Sequence, residues 1–289
     1  MATYLITGAS RGIGLELTKQ LLELPTSEVS EVFAVARNAE TDAIKQLEQK
    51  YPDRLYPVSA SVDNTASVQK AVEVVKHKLD GQSLDVLVNN AGISGETKGS
   101  IKDMELDQLT QILDVNVVGV QRVTAAFFPL LEQGSQKKII NVYVLDQELH
   151  LLRKLTRIIR SSGLGSFAYA PHVVSMPSDA YNISKTALNM LTVRWAHQYA
   201  DAGFTIVSIS PGVSTPETCI QDFRTDDTSQ WIKTDMGTAH ADLSIEQGVA
   251  AVKKLILETG KEQNGKFLNI KVPKTDEMMF DYDGKEIPW

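Results

Sequence analysis

The chain has 289 residues, enough for one large domain or two small ones, and is 43% hydrophobic and 22% charged, ordinary for a globular protein. A net charge of −7 argues against a general nucleic-acid or anionic-membrane surface. No apolar run reaches membrane-spanning length, the lone Cys219 excludes an internal disulfide framework and a cysteine-based zinc site, and the five histidines form no HExxH. The opening MATYLITGAS runs straight into a strand and turn and is not read as a signal peptide. The expectation is a cytoplasmic protein without a metal, a nucleic-acid partner or a membrane partner.

Strand-like and helix-like stretches alternate along the chain. TYLIT is a short apolar run, and the next segment has helical spacing at Leu15, Leu17, Leu21, Leu22 and Leu24. VFAVAR, RLYPVSA, LDVLVNN, KKIINV, FTIVSIS and GKFLNI read as further strands. Between them ETDAIKQLEQKY, SVQKAVEVVKHKL, LTQILDVNVVGVQRVTAAFFPLL, SDAYNISKTALNMLTVRWAHQYA and IEQGVAAVKKLILET read as helices. Strands nearly continuous in Val, Ile and Leu are expected where helices cover both faces of a sheet. The pattern predicts an α/β fold: a Rossmann-type, doubly wound parallel sheet in three αβα layers. No Pro/Gly/Ser linker or repeat interrupts it, so residues 1–289 are read as a single domain.

TYLITGASRGIGLELTKQ places Gly8, Gly12 and Gly14 directly after the first strand. Gly8 allows a tight turn, Gly12 lets the backbone approach a pyrophosphate, and Gly14 allows close helix packing. The helix N-terminus then faces the phosphates. After the second strand, where a carboxylate would hold the 2′-hydroxyl of NAD, the sequence has Arg37. Arg11 lies in the glycine turn, and two guanidiniums can fork onto a 2′-phosphate. NADPH is therefore expected over NADH.

With TGASRGIG at 7–14, NNAG at 89–92, Asn116 in NVVG and YNISK at 181–185, the chain resembles the short-chain dehydrogenase/reductase family. SSGLGS, TDMG and the terminal YDGKEIPW are similar to its sniffer-type carbonyl reductases and fungal ketoreductases of the norsolorinic acid type. The resemblance implies catalytic roles for Ser162, Tyr181, Lys185 and Asn116. It implies cofactor contacts by Gly8, Ser10, Arg11, Gly12, Ile13, Gly14, Arg37, Asn90, Ala91, Gly92, Tyr181 and Lys185. Ile232 and Thr234 match the family's nicotinamide contacts, and Val213 occupies that place in the chain as written. The family's adenine-reading aspartate aligns with Ser61, and Asp63 stands two residues on, so a serine, a backbone group or Asp63 is left open for that contact.

Tyr181 and Lys185 are four residues apart and share a helix face. A tyrosine has a pKa near 10, and a neighbouring ammonium favours the phenolate. By resemblance, Tyr181 exchanges a proton with the carbonyl oxygen, Lys185 also holds the nicotinamide ribose, Ser162 binds the substrate oxygen, and Asn116 links the lysine to a proton-relay water. The implied activity is NADPH-dependent reduction of a hydrophobic, polyketide-like ketone or aldehyde, in fungal secondary metabolism. Family members pair as homodimers or homotetramers. Two alternatives stay open: alcohol oxidation by the same residues, and a catalytically idle NADP-binding regulator.

Two segments break the family pattern. Without residues 143–160 the chain reads KKIINVSSGLGS, and without 213–230 it reads ISPGWIKTDMG. Both segments are 18 residues long. The codons permit splice signals: Val213-Ser214 can be GTGAGT and Gln230 can be CAG. We read both as retained introns of a gene model. The alternative is a genuine insertion, with Leu149, Leu152 and Leu155 forming an amphipathic flap.

Overall fold

A computed structural model describes residues 1–95, 101–143, 165–172, 179–211, 232–233, 243–275, 278 and 282–289. The strands are β1 (Ala2–Thr7), β2 (Val29–Ala36), β3 (Leu55–Ser59), β4 (Val86–Asn89), β5 (Lys138–Val142), β6 (Thr205–Ser210), β7 (Ile232–Lys233), β8 (Leu243–Ser244) and β9 (Phe267–Asn269). The helices are α1 (Gly12–Leu22), α2 (Asp42–Lys50), α3 (Thr65–Leu79), α4 (Leu106–Leu113), α5 (Gly119–Leu131), α6 (Asp179–Gln198) and α7 (Ile245–Glu258). Seven strands form one sheet in the order β3-β2-β1-β4-β5-β6-β9, all neighbours parallel. β7 and β8 pair separately.

Side chains alternate across the sheet, and both faces are covered. Tyr4 and Ile6 of β1 point to one side, into a core shared with Leu17 and Leu21 of α1 and Val249, Val252 and Ile256 of α7. Leu5 between them points to the other side, with Val68 and Val75 of α3 and Val123 and Phe127 of α5. All six residues of β1 and of β6 are buried, which accounts for their apolar runs. The expected doubly wound three-layer fold is present.

The order of strands reverses between β1 and β4. In such sheets a crevice opens at that switch point, outside the carboxyl ends of the strands. The return of the chain from α1 is fixed by Arg54, whose guanidinium donates to the main-chain O of Leu22 (2.8 Å), Leu24 (3.0 Å) and Val29 (2.7 Å). It thereby satisfies carbonyls that the end of α1 leaves open.

β5 ends at Val142, where sequence analysis placed its end. Tyr143, read as the start of the first insertion, is 1% exposed, and its N–H donates to Ile209 O at 3.0 Å. The segments 143–160 and 213–230 follow the carboxyl ends of the neighbouring strands β5 and β6. Residues 144–160 and 213–230 lie outside the described residues.

Candidate active site

The crevice at the switch point is a cavity of about 400 Å³. Gly8, Ser10, Arg11 and Ile13 line it from the β1–α1 turn, Arg37 and Asn38 from the end of β2, Asp63 from the loop after β3, and Asn90, Ala91 and Gly92 from the loop after β4. Gly8 (φ +68°) and Gly12 (φ +56°) adopt left-handed conformations that favour glycine. A Cβ on Gly8 would also stand 2.9 Å from Ala91 Cα, so the two loops meet with no room for a side chain. Gly14 packs on the turn: a Cβ there would lie 2.4 Å from Gly8 O and 2.5 Å from Asn90 Nδ2. Asn90 Nδ2 donates to Thr7 O (2.9 Å) and Gly8 O (3.2 Å), tying the two loops together. The N-cap of α1, Arg11, makes no side-chain capping bond, which leaves the first-turn N–H groups for an anion. This cradle fits a dinucleotide. Asp63 faces the cavity wall, and its carboxylate accepts the hydroxyl of Ser61.

Asn116 sits in a π-helical turn (Asp114–Val118) between α4 and α5 and is fully buried. A π-turn adds one residue and redirects a side chain, a frequent device at functional sites. Its Oδ1 accepts Ile93 N–H (2.9 Å), and its Nδ2 donates to Ile93 O (2.7 Å) and Ser184 Oγ (3.0 Å). Ser184 Oγ in turn donates to Tyr181 O at 2.7 Å. Asn116 thus ties Ile93, on the cavity wall, to α6. Neither Ser184 nor Ile93 was singled out from the sequence; their positions follow from the π-turn, which no local pattern announces.

Tyr181 and Lys185 lie on one face of α6, as their spacing predicted, with Lys185 Nζ 5.3 Å from the Tyr181 ring centre. Tyr181 is 0% exposed and Lys185 2%. Burial pushes the Tyr181 phenol well above its usual value, and nearby Tyr143 adds to this. Burial lowers Lys185 to about 7. Loss of water is the first cause of both shifts. Tyr181 is held as a neutral phenol, the form that donates a proton.

The Lys185 shift carries a stability consequence. Its folded value lies below the unfolded one, so between them the unfolded chain holds a proton that the folded chain lacks. Folding stability is expected to rise from about pH 7 to pH 10 by up to about 1.4 kcal/mol per unit, an effect that Lys185→Met flattens. Denaturant titrations of the two chains at several pH values check this.

Tyr143 was not assigned to the site. Its ring centre is 4.9 Å from Lys185 Nζ, and its hydroxyl donates to Lys185 O (3.1 Å) and to the Asn189 side chain. Ser162, Val213 and Thr234 lie outside the described residues, and Ile232 is described only as a residue of β7. Among the described residues no cluster of His, Cys, Asp or Glu is placed to hold a metal ion, and no helix is long and apolar enough to cross a membrane.

The family model for short chain dehydrogenases matches residues 2–148. The chain belongs to that family. Its members are oxidoreductases that use a nicotinamide dinucleotide. The chain is 32% identical over 226 residues to the short-chain dehydrogenase/reductase AacuF of Aspergillus aculeatus, covering 75% of this chain and 76% of that one. Among solved structures it is similar to the NADPH-bound carbonyl reductase from chicken fatty liver (26% identity, TM-score 0.77, covering 100% of this chain and 94% of that one). It is similar also to the carbonyl reductase Sniffer of D. melanogaster (26% identity, TM-score 0.76, both chains covered in full).

Proposed function

We propose that this short-chain dehydrogenase is an NADPH-dependent reductase of apolar ketones and aldehydes. The observation that carries the reading is the buried Tyr181–Lys185 pair, tied through Ser184 and Asn116 to the wall of a dinucleotide cradle. Bound in the cradle, NADPH would supply the hydride for the carbonyl carbon. Tyr181 gives its proton to the carbonyl oxygen, which leaves as the alcohol hydroxyl. Lys185 lies beside the phenol, where it can steady the tyrosinate left behind. Ser162, just after β5 once residues 143–160 are set aside, would donate to the same oxygen. Phe167, 75% exposed, gives the nearby segment an apolar character that suits a hydrophobic substrate. A place in fungal secondary metabolism belongs to the same proposal, and the likeness to a short-chain dehydrogenase/reductase of Aspergillus aculeatus supports its fungal part.

The preference for NADPH rests on Arg11 and Arg37, which line the same cavity with no acidic residue at the end of β2. A charge-assisted hydrogen bond contributes about 1.5–3 kcal/mol, roughly 10- to 100-fold in affinity. The expected result is a higher kcat/KM with NADPH than with NADH, reversed in Arg37→Asp by a loss of about that size on the NADPH side. Equal use of both cofactors by the parent chain would remove the argument.

We infer further that the working enzyme lacks residues 143–160 and 213–230. The family match stops at residue 148, inside the first segment, which supports this reading. Both segments also leave strand ends that border the site.

A further inference from the structure

We propose that the tail segment Tyr282–Trp289 is a clamp that fixes segment Gly165–Tyr169 against α6, with Trp289 and Ser166 as positioning residues for the reaction. This rests on the reductase reading above for its catalytic consequence, but not for its geometry.

The tail folds back along β9, the last strand of the sheet. Gly284 N–H donates to Ile270 O (3.1 Å), Asn269 N–H to Lys285 O (2.9 Å) and Ile287 N–H to Phe267 O (2.7 Å), giving an antiparallel bridge between Leu268 and Glu286. Within this pairing Gly284 adopts φ +72°, and a Cβ there would stand 2.8 Å from Lys271 Cβ. Ile287 is 4% exposed, in a cluster with Val120, Leu188 and Phe267. The Trp289 ring stacks on Phe267, centres 5.7 Å apart and 20° between planes.

The last two residues reach a different part of the chain. Ser166 Oγ donates to Pro288 O at 2.5 Å, and Ala168 N–H donates to Trp289 O at 3.1 Å. Ser166 is 1% exposed, and its Oγ also accepts Tyr169 N–H at 3.3 Å. From the other side α6 holds the same segment. Asn189 Nδ2 and Thr186 Oγ1 both donate to Gly165 O, at 2.8 and 3.2 Å. A Cβ on Gly165 would stand 2.9 Å from Lys185 Cβ, so the segment rests directly on the catalytic turn of α6. Gly165–Tyr169 is thus gripped between the tail and the helix that carries Tyr181 and Lys185. Ser162 stands three residues before Gly165 in the sequence.

The grip is polar on both sides and buried at Ser166. Removing the Ser166 hydroxyl or the Trp289 ring loosens it without touching the dinucleotide cradle, which lies across the sheet at the β1/β4 switch point. A displacement near 1 Å at a reacting group can cost about 10²-fold in rate.

The test uses Ser166→Ala, Trp289→Ala and the conservative Trp289→Phe, each in the full chain and in the chain lacking residues 143–160 and 213–230. Turnover, NADPH affinity and amide hydrogen exchange are measured. The expected result is a fall in kcat of about 10- to 100-fold for the two alanine variants with NADPH affinity unchanged, recovery in Trp289→Phe, and faster exchange confined to residues 165–170. Unchanged kcat together with unchanged exchange at Ala168 in both alanine variants overturns the proposal. If no parent chain reduces a carbonyl, the reductase reading fails, and the exchange data alone decide the clamp: local loss of protection supports it and parent-like protection refutes it.

Discussion

Replacing Tyr181 by phenylalanine is expected to lower kcat for ketone reduction by about 10²–10⁴-fold, the range for removing a positioned acid, while NADPH still binds. The substitution takes away one oxygen and keeps the ring. That ring is fully buried, and its packing on α6 and beside Lys185 survives in phenylalanine. The fold therefore stays intact and the loss falls on the chemical step. Burial keeps the Tyr181 phenol protonated, so at neutral pH the parent carries the proton that the new alcohol requires. Steady-state kinetics with a fluorescence titration of NADPH separate the two effects. A Tyr181→Phe chain with the parent's kcat would show that another group supplies the proton.

The second large effect concerns the interrupted strands. A chain without residues 143–160 and 213–230 is expected to turn over a model ketone about 100-fold faster than the full chain. In the full chain Val142, paired with Ile209, is followed by Tyr143, whose ring and hydroxyl contact Lys185 and Asn189. In the shortened chain Ser161 takes that place and Ser162 follows at the strand's end. A small side chain then adjoins Lys185, and the serine predicted to bind the substrate oxygen comes two residues after Val142. Loop length itself has little thermodynamic weight, since each doubling costs only about 0.6 kcal/mol, so a gain in rate reports geometry rather than folding. Sequencing the transcript across both segments gives an independent check. Equal turnover by the two chains would make the segments genuine, harmless insertions.

What the sequence made legible is the part of the structure that depends on near neighbours. The alternation of apolar runs and helical spacing predicted β1 to β6, β9, α1 to α3, α6 and α7 because each element buries its own pattern, while the single helix read over 109–131 is divided into α4 and α5 by the π-turn. The glycines at 8, 12 and 14 predicted the cradle, since only glycine suits two of those backbone conformations and the third has no space for a Cβ. Tyr181 and Lys185 fell on one helix face for the same local reason. The rest depends on contacts between distant segments. The π-turn that aims Asn116 at Ile93 and Ser184 has no signature in NVVG. Arg54, 30 residues from Leu24, has no local pattern that announces its hydrogen bonds to the carbonyls of Leu22, Leu24 and Val29. Tyr143 was read as the first residue of an insertion because the family pattern places a serine there, and its burial and its N–H bond to Ile209 O come from the fold. The burial of Tyr181 and Lys185 is likewise a property of the whole fold, not of their spacing.

The central claim is that the cradle and the Tyr181–Lys185 pair together deliver hydride and proton to a carbonyl. The most direct measurement supplies the full and shortened chains with NADPH deuterated at the transferable position and a set of apolar ketones. Mass spectrometry then follows the alcohol. The account predicts deuterium at the carbinol carbon, with NADPH a better donor than NADH and the label lost in Tyr181→Phe. Tight NADPH binding by both chains with no labelled alcohol from any ketone would contradict it and leave a dinucleotide-binding protein that does no chemistry.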